Sequence, residues 1–592
     1  MNVSAEIEEY AKSESDVRDR AHESAPEGRE FPEIDQALRD LTETKDRWVR
    51  FEISEKRRLL EEVCVGVESC AEAQVRDAMN AKGIPLDSPL VGEDWLSGPY
   101  ATQRIIKGLI ASLESLERHG HTGLTDRDAY ELPSGQVAVK VFPKTLLDRA
   151  LLLGFQGEVR LQTHVGIDEW RARAGLVYQT PPSEGKVALV LGAGNVASIG
   201  ILDVIHKLYL EAQVCVLKFN PVNEYLAPHY ATSLRPLIDA GFVRLIRGGA
   251  LEGKYLCQHP EVDEIHITGS CVTHDAIVYG GGSEGQDRKA RDLPVCDKRI
   301  TSELGNVSPV IVVPGSWTQR DLQFHAASIA TMIYNNSGFN CNAARVVIMH
   351  RDWPQRRALT DAIMATLSTL EARPAYYPGA ADRYERFITS HDGARAIETH
   401  NYGEVEGALP VGLVVEVDPQ DTDHLCFNEE AFCAMAATTS LEAESVAEFI
   451  KRATDFANDV TWGTLNATII LDTQTEKRYR AELDQAIDEL RFGSVCVNHW
   501  PALSYGLGST TWGAFPGHCR EDIRSGIGVV HNTFMLEDVE KTVIRGPFKV
   551  WPHPPWFMTH KNSVAMAKSL IDATAKPSVF NLIKLASHAL RG

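Results

Sequence analysis

The spacing of apolar residues changes along the chain, and each spacing predicts a different element. Between about residue 31 and residue 120, apolar side chains recur three and four positions apart, as they do along one face of a helix. This period predicts two long helices, within FEISEKRRLLEEVCVGVESCAEAQVRDAM and TQRIIKGLIASLESLERHG. The next apolar stretch, SGQVAVKVF, alternates apolar and polar residues and predicts a half-buried strand.

From residue 186 onward, short β-rich runs alternate with stretches of helical spacing, among them LAPHYATSLRPLIDAG. The runs KVALVL, QVCVLKF, FVRLIRG and VDEIHITGS predict a parallel α/β sheet built from βαβ units. The charged, glycine-rich segment 276–299 is expected to be a long loop. After it, VSPVIVV, ARVVIMH and ATIILD predict a second α/β domain over about 301–500.

Composition narrows the partners and the compartment. At 592 residues the chain is too long for one hydrophobic core, and its formal net charge of −21 disfavours non-specific binding to nucleic acid or anionic membranes. The 11 cysteines contain no CxxC pair, so we expect the reducing cytoplasm and neither a disulfide framework nor a metal site. The acidic N-terminus lacks the apolar core of a signal peptide. The apolar segment 187–202 is too short and too rich in glycine for a membrane span.

The turn GAGNVASIG, residues 192–200, follows a predicted strand and opens a predicted helix. This placement suggests a dinucleotide-binding fingerprint, but Ala197 stands at its third glycine position. The next strand ends in Lys218, where the fingerprint has an acidic residue. A phosphate-binding glycine loop is therefore disfavoured, and Asn195 is open to two interpretations, a turn residue or a functional amide.

The segment NNSGFNCNAARV, residues 335–346, places Cys341 between two asparagines. A lone cysteine is usually a small buried hydrophobe. It becomes a nucleophile only as a thiolate, and neither flanking asparagine supplies a base. Other residues must decide between these interpretations.

Six motifs then occur in a fixed order: VLKFNP, EIHITGS, TSELGNVSP, NSGFNCNAARV, NEEAF and GSVCVN. Together they resemble the aldehyde dehydrogenase superfamily over about residues 45–500. The resemblance implies an α/β fold, with a Rossmann-type cofactor domain, an α/β catalytic domain and a small oligomerisation element. It implies the following parts: an acidic, mobile arm (1–30), N-terminal helices and the NAD(P)-binding domain (31–300), the catalytic domain (301–500) and a C-terminal segment for oligomerisation and the substrate entrance (501–592).

The resemblance assigns three catalytic roles. Cys341 is the nucleophile, Glu303 in TSELGN is the general base, and Asn195 is the oxyanion-hole amide, 23 residues before Lys218. The sequence departs from the family pattern beside two of these residues. Gly194 replaces the usual tryptophan before Asn195, which predicts a reshaped substrate tunnel, and ELGN replaces the usual ELGG.

The resemblance also implies NAD or NADP as the cofactor. The residues it assigns to cofactor binding are Lys218 for the adenosine ribose, Gly269 and Ser270 for the pyrophosphate, and Glu430 and Phe432 for the nicotinamide riboside. Glu429 is the alternative to its neighbour for the ribose. Pro221 replaces an acidic residue typical of NAD-preferring members, which favours NADP, although Glu224 lies nearby in the sequence.

The function implied is the oxidation of a small-molecule aldehyde to a carboxylic acid through a cysteine thiohemiacetal and thioester. Two alternatives stay open, a CoA-acylating aldehyde dehydrogenase or acyl reductase, and a non-catalytic binding protein on the same fold. The base Glu303 disfavours the first, and the combination with Cys341 and Asn195 disfavours the second. A cytoplasmic homodimer or homotetramer is expected, paired through QVAVKVF and the C-terminal region, and the segment 498–509 is expected near the substrate entrance.

Overall fold

The computed structural model describes residues 31–576 and 578–591, so the predicted arm at 1–30 lies outside the described residues. Its α-helices in chain order are α1 (Pro32–Arg50), α2 (Ile53–Lys82), α3 (Val91–Trp95), α4 (Ala101–His119), α5 (Leu146–Leu151), α6 (Leu176–Gln179), α7 (Ile199–Glu211), α8 (Ala227–Ser233), α9 (Arg235–Asp239), α10 (Ala250–Gln258), α11 (Cys271–Tyr279), α12 (Gly282–Ala290), α13 (Gln319–Tyr334), α14 (Arg356–Leu367), α15 (Ala380–Ile388), α16 (Leu425–Asn428), α17 (Val446–Asp459), α18 (Thr473–Arg478), α19 (Arg480–Glu489), α20 (Ala502–Leu507), α21 (Ser563–Ala575) and α22 (Val579–Ala589). Short 3-10 segments lie at Trp170–Arg173, Pro221–Leu226, Asn335–Gly338 and Tyr402–Glu404, and a π-helical turn lies at Leu96–Tyr100.

The strands of the same residues are β1 (Ala129–Glu131), β2 (Val137–Phe142), β3 (Gln156–Leu161), β4 (Lys186–Leu191), β5 (Gln213–Lys218), β6 (Val243–Ile246), β7 (Glu264–Thr268), β8 (Arg299–Glu303), β9 (Ser308–Val312), β10 (Ala344–His350), β11 (Ala394–Ile397), β12 (Val411–Val417), β13 (Met435–Leu441), β14 (Asn466–Ile470), β15 (Ser494–Val497), β16 (Thr511–Gly513), β17 (Gly526–Ile527), β18 (Val529–His531) and β19 (Val539–Arg545).

A six-stranded sheet carries the first predicted α/β unit. Its order is β17-β8-β7-β4-β5-β6, and all pairs are parallel except β17 with β8. The chain adds β5 and β6 on one side of β4 and then β7 and β8 on the other, as in Rossmann-type sheets. The strand predictions for this region are confirmed.

An eleven-stranded sheet carries the second unit, in the order β1-β2-β3-β19-β15-β14-β9-β10-β13-β12-β11. Its two faces are both buried, because alternate residues of one strand enter different cores. In β10, Val346 and Ile348 pack into one core, whereas Val347 and Met349 pack into another. Such continuous apolar runs are typical of parallel strands covered by helices on both faces.

The strand predicted within SGQVAVKVF is β2, and it is an interior strand of this sheet. It is hydrogen-bonded to β1 on one side and to β3 on the other, and all of its residues except Lys140 are buried. The expectation that this strand is half-buried is therefore wrong, whereas the association of two copies through this region stays a prediction. The short strand β1 forms that edge of the sheet.

The helix predictions are confirmed for α2 and α4, and Gly120 ends α4 in a left-handed conformation. The long loop predicted at 276–299 is wrong, since α11 runs through its first residues and α12 follows. The helix α12 is solvated along much of its length and carries an Arg288–Glu284 ion pair one turn apart, so its charge reflects exposure and not irregular backbone. The single helix expected in LAPHYATSLRPLIDAG is divided into α8 and α9, next to Pro236.

Among the described residues, no helix is long and apolar enough to cross a lipid bilayer.

Candidate active site

The candidate residues converge at the carboxyl ends of the strands of the six-stranded sheet. Lys218 ends β5, Glu303 ends β8, Gly269 follows β7, and Asn195 lies in the turn after β4. In an open α/β sheet, ligands bind outside the carboxyl ends of the strands, at the point where successive strands change sides. The topology therefore places these side chains, distant in sequence, where a ligand site is expected.

Cys341 follows a tight left-handed turn that leads from α13 into β10. The backbone takes positive φ angles at residues 336–338, of 51°, 55° and 74°. A Cβ atom at Gly338 would lie 2.3 Å from the carbonyl oxygen of Cys433, so the turn accepts only glycine there. The buried Arg345 donates hydrogen bonds of 2.7 Å to the carbonyls of both Gly338 and Cys433 and fixes the turn against β13.

The carbonyl group of Cys341 is held by two side chains of the catalytic sheet. Asn466 Nδ2 donates to it at 3.2 Å and Ser308 Oγ at 3.4 Å. Asn306, the residue that departs from the family's ELGG, donates to the Asn466 carbonyl at 2.9 Å and to Ser308 Oγ at 3.2 Å. Asn306 therefore has a structural role, because its amide is hydrogen-bonded to both residues that hold the carbonyl group of Cys341.

Asn195 lies against the turn that carries the cysteine, although it is 144 residues from Phe339 in the sequence. Its Nδ2 donates to the Phe339 carbonyl at 2.9 Å, and Asn336 Nδ2 donates to the Asn195 carbonyl at 3.0 Å. Asn336 in turn accepts a hydrogen bond of 3.2 Å from Lys82, whose buried ammonium group pairs with Asp94 at 2.8 Å. The structure thus brings the predicted amide and the predicted nucleophile to one rigid turn.

Glu303 is buried, 3% exposed, and its carboxyl group faces the Cys341 thiol and the Trp512 indole. Burial raises the pKa of Glu303 to about 7; the two neighbouring polar groups oppose the rise, while the carboxylates of Asp203 and Glu430 add to it. Burial, with Glu303 beside it, also raises the pKa of the Cys341 thiol well above its ordinary value. The thiol therefore rests protonated at neutral pH, where about half of the protein carries Glu303 as a carboxylate placed to take the thiol proton.

The two adjacent glutamates of NEEAF point in different directions. Glu429 pairs with Arg386 at the surface, whereas the pKa of Glu430 is raised to about 7 by burial in the site. The structure therefore favours Glu430 over its neighbour as the residue that faces a ligand. Phe432 is half-buried, and its ring centroid lies 5.0 Å from that of Tyr377.

Lys218 is buried at the end of β5, and burial lowers its pKa to about 8. The carboxylates of Glu252 and Glu224 act in the opposite direction and are close enough to influence it. Pro221 begins the 3-10 segment that carries Glu224. The lysine thus faces negative charge even though the acidic residue is missing at position 221.

Gly269 and Ser270 form the junction between β7 and α11. Ser270 Oγ caps the helix by accepting a hydrogen bond of 3.1 Å from the Thr273 N–H, and Gly269 N–H donates to the Glu303 carbonyl at 3.1 Å. The junction therefore places a helix N-terminus beside the strand that carries the predicted base, which suits an anionic group.

The segment 498–509 contacts the site, in the region where the sequence predicts the substrate entrance. Trp500 Nε1 donates to the Asn342 carbonyl at 2.8 Å, and Tyr505 Oη lies 2.7 Å from Ser198 Oγ. This contact joins the segment to the residue after the nucleophile.

Sequence reasoning missed the polar residues behind Glu303, namely Trp512, Asp203, His206 and His266. All four side chains are buried. For His266 a signal was present in the predicted strand EIHIT, where polar residues occupy every second position, as they also do in RITSE.

Comparison with known proteins shows similarity to one family of enzymes. The model of the aldehyde dehydrogenase family matches residues 214–508. A 4-trimethylaminobutyraldehyde dehydrogenase from Pongo abelii is 25% identical over 287 residues, which cover 45% of this chain and 52% of that protein. The match thus spans about half the length of that curated relative.

Solved structures share the fold across most of the chain. A putative aldehyde dehydrogenase from Burkholderia cenocepacia superposes with a TM-score of 0.58 at 17% identity, covering 87% of this chain and 91% of that one. An NADP-dependent glyceraldehyde-3-phosphate dehydrogenase from Bacillus halodurans C-125, complexed with NADP, gives a TM-score of 0.56 at 17% identity, with the same coverage.

Proposed function

The chain belongs to the aldehyde dehydrogenase superfamily, and from this premise we propose that it oxidises an aldehyde to the carboxylic acid with NAD or NADP as the hydride acceptor. The observation that carries the proposal is the pairing of the half-buried Cys341 thiol with the buried carboxyl group of Glu303, the last residue of β8. A nucleophile and a proton acceptor that face each other away from bulk water are what thioester chemistry requires.

The first half of the reaction uses Glu303 as the acceptor of the thiol proton. The thiolate of Cys341 then forms a bond to the carbonyl carbon, and negative charge develops on the carbonyl oxygen. The Asn195 amide and the Cys341 backbone N–H are the proposed donors to that oxygen. When bound, the nicotinamide cofactor accepts the hydride that leaves the carbon, so that a thioester remains on Cys341.

The second half begins once Glu303 has released the proton that it took from the thiol. As a carboxylate again, Glu303 takes a proton from water while the water oxygen attacks the thioester carbon. The C–S bond breaks, the carboxylic acid leaves, and Cys341 regains its proton from Glu303. Over the whole cycle one proton must pass from Glu303 to the solvent.

The residues of the site fit a nicotinamide cofactor. Glu430 Oε1 is buried and makes no hydrogen bond within the described part of the chain, so it is an acceptor suited to a ribose hydroxyl group. Gly305 leaves room beside that carboxylate, since a Cβ atom would lie 2.0 Å from Glu430 Oε2. Lys218 supports binding of the adenosine ribose, and the solved NADP complex of the Bacillus halodurans relative supports NADP as one of the two cofactors.

The test is a panel of aldehydes of graded chain length, with NAD and NADP, in which the reduced cofactor is followed by absorbance. The wild-type protein is expected to reduce at least one cofactor without CoA, and Cys341→Ser is expected to abolish this. Cys519→Ser, at an exposed cysteine, is the matched control and should retain activity. Strict dependence on CoA would indicate the acylating reaction, and no reduction with any aldehyde would indicate a non-catalytic protein.

We also propose that the protein is a cytoplasmic homodimer or homotetramer. The cysteines support a reducing compartment, because all 11 are free thiols. Light scattering at micromolar concentration tests the assembly, and a monomer would contradict it.

A further inference from the structure

A row of polar side chains lies behind Glu303, between strands β7 and β8 of the six-stranded sheet and helix α7. The strands β7 and β8 are parallel, and every second residue of each points to the face covered by α7. The register pairs on this face are Glu264 with Arg299, His266 with Thr301 and Thr268 with Glu303. The residues between them, such as Ile265 and Ile267, are buried apolar side chains on the other face. The row therefore extends from the proposed base to Arg299, over about 13 Å at the usual rise of about 3.3 Å per strand residue.

Helix α7 completes the row with side chains one and two turns apart. Asp203 accepts a hydrogen bond of 3.1 Å from Thr268 Oγ1 and lies 3.5 Å from His266 Nε2. One turn further along α7, His206 Nε2 lies 3.5 Å from Glu211 Oε1. The polar side chains of α7 therefore lie next to those of β7 along the whole row.

The row reaches the solvent at Glu211. Its second carboxylate oxygen accepts a hydrogen bond of 2.7 Å from Arg299, and the side chains of the two residues are 19% and 56% exposed. A chain of titratable groups therefore connects the buried base to the surface on the side away from Cys341.

A small cavity lies at the inner end of the row, between Glu303 and the histidines. It has a volume of about 10 Å³, and its lining includes Glu303, His206, His266, Glu211 and Trp512. Such a volume holds about one water molecule, provided that polar atoms surround it. Within the described residues, four atoms of the lining side chains make no hydrogen bond: Glu303 Oε1, His206 Nδ1, His266 Nε2 and Trp512 Nε1.

Unpartnered polar atoms in a core cost stability, and apolar side chains would fill this space at lower cost. One water molecule placed in this cavity would be a hydrogen-bond partner for all four atoms and would join the carboxyl group to both rings. His266 is oriented for this contact, because its Nδ1 lies 2.9 Å from Thr301 Oγ1. With a water molecule there, hydrogen bonds would connect Glu303 to both histidines.

We propose that this row carries the proton of Glu303 to the solvent between the two halves of the reaction. The inference rests on the proposed function, in which one proton leaves Glu303 in each turnover. During that interval the thioester lies on the Cys341 side of the base, so an exit behind the base avoids the substrate.

The transfer balances with water and imidazole alone. Protonated Glu303 gives its proton to the cavity water, which passes one of its own protons to His206 Nδ1. The ring then gives the proton on Nε2 to Glu211, which releases it to the solvent. Before the next turnover, the ring gains a proton from water at Nε2 and loses one to water at Nδ1, which restores its first tautomer. Each step breaks one O–H or N–H bond and forms another.

The surroundings of His206 keep the ring able to accept. Burial lowers its pKa, so the ring is neutral and Nδ1 holds a free electron pair at neutral pH. The charged and titratable groups that face it are Glu211, Lys207, His266 and His531. The pKa of His531 is lowered to about 3, so that ring adds no positive charge.

The experiment acylates Cys341 with p-nitrophenyl acetate, which needs neither an aldehyde nor a cofactor. A burst of nitrophenolate reports the thioester, and decay of the acyl-enzyme, followed by intact-protein mass spectrometry, reports its hydrolysis. We expect His206→Gln and Glu211→Gln to keep the burst and to slow the decay about tenfold, a fraction of a typical general-base effect. His229→Gln is the matched control, because His229 is a buried histidine of the same unit, paired with Asp77 off the row.

Two further readouts separate proton transfer from a structural role. Added imidazole should restore much of the decay rate to His206→Ala, and the solvent deuterium isotope effect on decay should rise in Glu211→Gln. A decay rate equal to wild type in both glutamine variants would overturn the proposal. So would burst and decay slowed by the same factor, or slowing without rescue by imidazole. No burst in the wild-type protein would instead refute the proposed function itself.

Discussion

Replacing Glu303 by glutamine is expected to separate the two halves of the proposed reaction. Burial raises the pKa of Glu303 to about 7, so about a tenth of the protein carries the carboxylate at pH 6 and about nine-tenths at pH 8. Wild-type hydrolysis of the thioester should therefore rise about tenfold between these values and level off above them. An amide accepts no proton from water, so Glu303→Gln should lose about a hundredfold to ten-thousandfold in hydrolysis, together with this pH dependence.

The assay is a rapid-mixing measurement of reduced cofactor with saturating aldehyde. The variant should release up to one equivalent per site in a burst and then turn over slowly, because hydride leaves before water attacks. The burst should form more slowly than in the wild type at neutral pH, since Glu303 also faces the Cys341 thiol, whose pKa is raised by burial. Its amplitude is therefore the informative quantity. Glu429→Gln is the control, because that carboxylate pairs with Arg386 at the surface.

Two results would refute this reasoning. One is a Glu303→Gln protein with the steady-state rate of the wild type. The other is a variant whose hydrolysis still rises tenfold between pH 6 and pH 8, which would assign the titration to another group. A steady rate restored to the variant by CoA would reassign the acyl acceptor from water to CoA.

Three further changes test other parts of the structure. Gly338→Ala places a Cβ atom 2.3 Å from the Cys433 carbonyl oxygen, so the nucleophile's turn must shift and activity should fall about a hundredfold. Asp94→Asn leaves the buried Lys82 ammonium group without its charged partner and should lower the free energy of unfolding by about 3–5 kcal/mol, measured by denaturant titration. Glu224→Gln removes a negative charge near the adenosine end of the site and should raise the specificity constant for NADP over NAD about fivefold, about 1 kcal/mol.

Each of these changes has a control. Gly407→Ala, at another glycine with positive φ (72°) but no neighbouring atom within 4 Å of the added carbon, should leave activity intact. Asp455→Asn breaks an exposed pair with Lys451 and should leave the free energy of unfolding nearly unchanged, because solvent screens the pair. For the cofactor, the specificity constants of the wild-type protein are compared. A preference for NAD above about a hundredfold, about 2.7 kcal/mol, would contradict the use of NADP expected from Pro221. Equal losses in variant and control would contradict the other two predictions.

The sequence by itself determined the regular elements, because their patterns are local. Three- and four-residue spacing located α2 and α4, and β-rich runs located eight strands of the two sheets, β2, β4, β5, β6, β7, β9, β10 and β14. The same local reasoning failed at 276–299, where glycine and charge indicated a loop. The charged residues there lie on an exposed helix that carries one ion pair across a turn, Arg288 with Glu284, which composition does not reveal.

The candidate residues were also named from the sequence, since six motifs in order are specific even when each is weak. What the sequence left open was which residues meet. Glu429 and Glu430 are equivalent in NEEAF, and only folding turns one to the surface and buries the other. The sequence did not explain why Asn306 replaces the second glycine of ELGG. In the fold its amide donates hydrogen bonds to Ser308 and to the Asn466 carbonyl.

The chemistry of the site was decided by the tertiary structure. The raised pKa of Glu303 results from desolvation, which depends on side chains far away in the chain and not on the neighbours in TSELGN. The polar row shows the same division. The alternation in EIHIT and RITSE is a property of the sequence, but the register of β7 with β8 and the placement of α7 over one face turn it into a path. Periodicity fixes which face of an element a residue occupies, whereas only packing fixes what that face meets.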